Sequence, residues 1–96
     1  MKIKRIVKLT FLEDKTMDFV RIYEESKQKI NRFAGCLGVE LLRCKNPENI
    51  FFTYSQWENE EALESYRQSE LFGNTWGKVK PLFSEKAEAW TVIEND

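Results

Sequence analysis

The stretch IFFTYSQWENEEALESYRQSELF, residues 50–72, decides how the rest of the chain reads. Its first eight residues carry β-branched or aromatic side chains on both parities, Ile50, Phe52 and Tyr54 against Phe51, Thr53 and Trp57. That pattern describes a central strand covered on both faces. A helix start follows at once. Asn59 offers a side-chain cap, and Glu60 and Glu61 put negative charge in the first turn, where the helix macrodipole favours it. Ala62, Leu63, Tyr66 and Phe72 then continue at approximately helical spacing.

Upstream, NPEN at 46–49 is dense in turn residues and joins the central strand to a shorter one, GVELLRCK at 38–45, as a hairpin. Phe19, Tyr23, Ser26, Ile30 and Phe33 recur at steps of three and four, which predicts a long amphipathic helix with Thr16 as its N-cap and Gly35 closing it. Before it, residues 3–11 alternate, with Ile3, Val7, Leu9 and Phe11 on one side, Lys4, Lys8 and Thr10 on the other, and Ile6 as the exception. Downstream, Gly73 and Gly77 weaken FGNTWGKVKPLF, predicting a break and then a short helix containing Trp76 and Val79. Residues 84–94 alternate as a last strand.

The order strand, helix, strand, strand, helix, strand is the α+β, ferredoxin-like βαββαβ arrangement, an antiparallel sheet with both helices on one face. The 96 residues read as one domain over 1–96, too few to supply a second layer for the opposite face. A second copy of the chain would cover it, so a homodimer is expected.

Fifteen basic against sixteen acidic residues leave a net charge of −1, which offers no surplus to neutralise a phosphate backbone, and no nucleic-acid partner is expected. The K/R-G-F/Y-G/A-F pattern of RNA-recognition modules and the CxxC of copper chaperones are both absent. Lys and Arg interrupt every apolar pair of MKIKRIVKLTF, unlike a signal peptide, and no run approaches the roughly 18 apolar residues of a membrane span. A cytoplasmic protein with no membrane partner is the resulting expectation. On one strand Cys36 and Cys44 would lie roughly 26 Å apart, beyond the reach of a disulfide, and two thiols in a chain with no His do not make a four-ligand zinc site.

The segment FFTYSQWENEEALESYRQSELFGNTWGKV resembles the antibiotic biosynthesis monooxygenase family: a central strand ending in an aromatic residue, an acidic turn, E-A-L, then a small polar residue and an aromatic before a short helix. The resemblance extends over essentially the whole chain, including GC at 35–36 and EAW at 88–90. It implies a dimeric α+β barrel with a ligand held between sheet and helices. Trp57, Tyr66, Phe72 and Trp76 would line that space, with Val7 on the first strand.

The chain departs from two branches of that family. One degrades haem with an Asn, a Trp and an iron-binding His, which fall here on Val7, Tyr66 and Trp76. The other resembles quinol monooxygenases, whose Glu and His positions hold Ser55, Tyr66 and Leu71. Cofactor-free oxygenation needs an ionised phenol or enol to supply the electron, and hence a base. Tyr54, Tyr66 and Glu40 remain as candidates, with Arg67 able to stabilise the anion. The expected function is a monooxygenase that needs no cofactor and acts with O2 on a small aromatic diol, a quinol or a polyketide-like substrate. The alternative is a non-catalytic dimer that binds a small ligand.

Overall fold

The computed structural model describes residues 1–95. Its elements are β1 (Ile3–Thr10), α1 (Thr16–Asn31), β2 (Cys36–Arg43), β3 (Ile50–Trp57), α2 (Glu60–Arg67), α3 (Glu70–Val79) and β4 (Glu88–Val92). The strands form one antiparallel sheet in the order β2-β3-β1-β4, with β3 and β1 central. Pairing of Ile3 with Trp57 and of Leu9 with Phe51 puts the odd-numbered residues of both central strands on one face.

The helices pack on that face. Leu9, Phe11 and Phe51 are buried against Phe19 and Tyr23 of α1 and Val79 of α3, while Ile3 and Trp57 are buried against Leu63 of α2. Phe11 sits at the centre of the larger cluster, stacked on Phe19 at 4.3 Å and on Phe83 at 5.1 Å. The opposite face carries Ile6, Leu42, Phe52, Tyr54 and Trp90, brought together by the pairings Ile6 to Tyr54, Ile6 to Trp90 and Leu42 to Phe52. Leu42 is 48% and Trp90 47% exposed there. The two parities of β3 therefore serve two different surfaces, as its composition requires.

The α+β, antiparallel description holds, but the barrel does not. The sheet of this chain is open, with β2 and β4 as its two edges and both central strands between them. Four strands, the last of only five residues, do not bring those edges round to each other.

Several helix boundaries differ from the sequence expectation. Thr16 is the first residue of α1 rather than its cap, because a turn of 3-10 helix at Glu13–Lys15 leads straight into it. The interruption after α2 falls at Gln68 and Ser69, before the glycines. The Ser69 hydroxyl accepts from the Phe72 amide at 3.1 Å and starts α3, which runs through both Gly73 and Gly77. A side-chain cap and a packed apolar face thus outweigh two glycine propensity penalties of about 1 kcal/mol each. Asn59 caps α2 as expected, accepting from the Ala62 amide at 2.8 Å.

Gly35 closes no helix, since α1 ends at Asn31. With φ at +87°, it instead turns the chain into β2 where a Cβ would come within 2.4 Å of the Ala62 Cβ. Its carbonyl accepts from the Glu58 amide at 2.9 Å. That glycine lets the start of β2, the end of β3 and α2 meet at one corner.

Candidate functional site

A cavity of about 340 Å³ lies between the inner face of the sheet and the three helices. Its volume is in the range of small-molecule sites. Trp57, Tyr66, Phe72, Trp76, Val7 and Arg67 all line it. Four elements bring them together: Val7 from the centre of β1, Trp57 from the last position of β3, Tyr66 and Arg67 from the last turn of α2, and Phe72 and Trp76 one turn apart on α3.

The aromatic side chains form a continuous wall. Trp57 stacks on Tyr66 with centroids 4.9 Å apart, Tyr66 meets Phe72 edge-on at 5.3 Å, and Phe72 lies parallel to Trp76 at 6.0 Å. Offset-stacked and edge-to-face pairs at these separations are favourable geometries for aromatic rings. The wall continues into the core, where Trp76 approaches Phe83 at 5.4 Å. An aromatic strand end followed by a helix bearing Tyr66 is the means by which this wall begins.

Tyr54 stands apart from the other candidates. It pairs with Ile6 on the even register of β3, which points away from the helices, and it is not among the cavity residues. Glu40, paired with Tyr54, shares that outer register. Ser55 occupies the inward position that Tyr54 does not. Its hydroxyl is buried and accepts a hydrogen bond from Trp57 Nε1 at 3.0 Å, which fixes the indole against the cavity.

Sequence reading missed four polar contributors. Arg5 lines the cavity from β1, Tyr23 from α1, Thr53 from β3 and Thr75 from α3. The Tyr23 hydroxyl is buried without a hydrogen-bond partner. Arg5 shares the parity of Ile3, Val7, Leu9 and Phe11, a signal present in the alternation itself.

Electrostatics sort the polar groups by role. Burial, with a smaller contribution from Cys36, pushes the Tyr66 hydroxyl up to about 12, despite the opposing effect of Arg5. It is therefore a protonated hydrogen-bond donor at neutral pH and not a base. Arg5 is pushed below its usual value, first by burial and then by the charge of Arg67, and it remains a cation at neutral pH. Arg67 is held to Glu64 at 3.3 Å at the exposed side of the cavity. Among the described residues no Asp or Glu lines the cavity, and no three His, Cys, Asp or Glu side chains gather as a metal site.

An antiparallel sheet of this order, with an aromatic cavity between it and its helices, defines a small ferredoxin-like α+β fold. The chain belongs to the antibiotic biosynthesis monooxygenase family, whose sequence model matches residues 3–76. No protein among the curated sequences matches it. Solved structures share its fold closely. Rv0793 from Mycobacterium tuberculosis is 14% identical over 100% of this chain and 97% of its own, with a TM-score of 0.91. A conserved protein from Methanosarcina mazei Go1 is 14% identical over 99% of this chain and 94% of its own, with a TM-score of 0.94. PA3566 from Pseudomonas aeruginosa is 18% identical over 99% and 95%, with a TM-score of 0.87. At such identities the likeness is one of fold.

Proposed function

We propose that this protein is a monooxygenase that inserts one atom of O2 into an electron-rich hydroxyaromatic substrate without a metal, flavin or nicotinamide. The observation that carries this reading is the aromatic wall from Trp57 to Trp76, which offers a planar substrate a stacking surface inside a chain of this family. For a simple dihydroxybenzene the reaction balances as diol plus O2 giving a hydroxyquinone plus water, and the substrate supplies all four electrons. The ionised substrate hydroxyl starts the transfer. Tyr66 donates a hydrogen bond to that oxyanion, and Arg67 stabilises the charge from the cavity mouth. Because Tyr66 holds its proton, substrate ionisation comes from solvent.

The same reading includes a homodimer. A second copy seated on the outer sheet face would remove Leu42, Trp90 and the neighbouring Phe52, Tyr54 and Ile6 from water. Each functional unit is one domain over residues 1–96, working in the cytoplasm. Among the described residues no helix is long and apolar enough to cross a membrane.

Oxygen uptake with a panel of dihydroxyaromatics, in the presence of chelators, tests the activity. The expected rate rises with pH along the ionisation of the substrate's own hydroxyl, since no His is present to titrate near neutrality. Tyr66→Phe should lower turnover, and Arg67→Met should weaken the anionic state. Wild-type rates in both variants would remove these residues from the mechanism. A cavity lined by no carboxylate also favours a second reading, a non-catalytic binding protein. Uptake no faster than a protein-free control across the whole panel would select it.

A further inference from the structure

Arg5 and Ile6 are interchanged relative to the rest of β1. The strand sends Ile3, Val7 and Leu9 inward and Lys4 and Lys8 outward, yet at its centre the cation goes in and the apolar side chain goes out. Interchange in this direction works against both hydrophobic burial and ion solvation, so it calls for a reason on each side of the sheet. On the inner side the reason has to be electrostatic.

No carboxylate among the described residues forms an ion pair with Arg5. Among the described residues Arg21, Arg43 and Arg67 each have a carboxylate within 4.0 Å, whereas Arg5 and Arg32 have none, and of those two only Arg5 is partly buried, Arg32 being exposed to solvent. No acidic residue among those described lines the cavity; Glu64 favours the Arg5 charge without pairing with it, being held by Arg67, and Arg67 itself raises the cost of that charge. A second group in the same cavity is also incomplete, because the Tyr23 hydroxyl is buried, 5% exposed as a residue, and has nothing to bond to. Leaving a buried donor unpaired and a half-buried cation unmatched is costly in each case, and one occupant can relieve both.

We propose that Arg5 is an anion-recognition residue, and that the cavity takes an apolar aromatic molecule bearing a carboxylate, seated against its guanidinium. The guanidinium fork matches a carboxylate with two parallel N–H donors, and the aromatic body lies on the Tyr66, Phe72 and Trp76 rings. The Tyr23 hydroxyl is free to donate to an oxygen elsewhere on the same molecule. This deepens the oxygenase reading of the same site by making its substrate a hydroxyaromatic acid rather than a neutral diol.

The test is calorimetric titration of the full chain with 2-naphthoate and with its neutral isostere 2-naphthamide at low ionic strength. The wild-type protein should bind the acid at least about tenfold more tightly, the value of one charge-assisted hydrogen-bonded pair. Arg5→Met should bring the two probes to within about twofold of each other, and measurable binding of the amide to this variant shows that the cavity remains intact. Arg67→Met should keep most of the preference. Equal binding of both probes to wild type, binding of neither, or a preference that survives in Arg5→Met and disappears in Arg67→Met would overturn the proposal. Neither probe carries an oxidisable hydroxyl, so absence of oxygen uptake would leave this outcome standing, and the reverse holds too.

Discussion

The ring of Tyr66 lies 4.9 Å from the indole of Trp57 at an interplanar angle of 28°, joining the end of β3 to the last turn of α2 by one stacked pair. Trp57 is fully buried. Trp57→Ala should therefore cost about 3–5 kcal/mol, as large aromatic truncations in cores do. Tyr66→Phe keeps the ring and should change stability by less than about 1 kcal/mol. Urea unfolding of the two variants separates them, and equal midpoints would mean that the pair does not hold strand and helix together.

Alkaline titration should reveal the same tyrosine by another route. Its folded value, pushed to about 12, exceeds the ordinary 10.0, so the folded state binds this proton more tightly than the unfolded chain. The resulting stability is fully present below pH 10 and is lost as pH rises towards 12. Burial raises Tyr23 as well, so ultraviolet difference spectra should show two phenols ionising late, one of them lost in Tyr66→Phe, which should also flatten the decline in stability over that window. A decline of unchanged steepness in the variant would contradict the assignment.

Glycine substitutions should divide by position. At Gly35 the φ of +87° and the Ala62 Cβ at 2.4 Å leave no room for a methyl group, and Gly35→Ala should destabilise by about 1–3 kcal/mol. At Gly73 and Gly77 a Cβ meets nothing within 4 Å on a helix. Alanine there should stabilise by roughly 0.5–1 kcal/mol each. Thermal melts of the three variants give the ranking directly, and a stabilised Gly35→Ala would refute the close approach.

Light scattering after gel filtration should give about twice the 11.4 kDa of one chain. Trp90→Glu, on an exposed edge-strand site of the outer face, should shift that mass to the monomer without unfolding the chain. A wild-type mass of one chain at micromolar concentration would rule out the paired faces.

The two-faced composition of β3 made the sheet readable, and the Asn59 cap made α2 readable. Which face of β3 the helices cover was not, because aromatic residues on both parities give the same pattern either way. That ambiguity is why Tyr54 looked like a companion of Tyr66 when the sheet separates them. Arg5 escaped notice because KIKRI reads as solvated cations between apolar residues, and only counting parity shows one cation on the core side. The continuity of α3 depends on Ser69 and on packing by Trp76 and Val79, neither of which local glycine penalties reveal. The open sheet edges are a tertiary fact, since strand order fixes neighbours but not closure.

The three tryptophans differ in setting: Trp57 is the fully buried inner end of the cavity's aromatic wall beneath α2, Trp76 is the partly exposed outer end of the same wall, and Trp90 is nearly half exposed on the far side of the sheet. Their intrinsic emission therefore divides by location. Global unfolding reads out at Trp57, occupancy at Trp76 and coverage of the outer face at Trp90. Single-tryptophan variants, with Phe at the other two positions to keep an aromatic ring there, would let the protein report its own folding, filling and assembly as optical signals, without any attached dye.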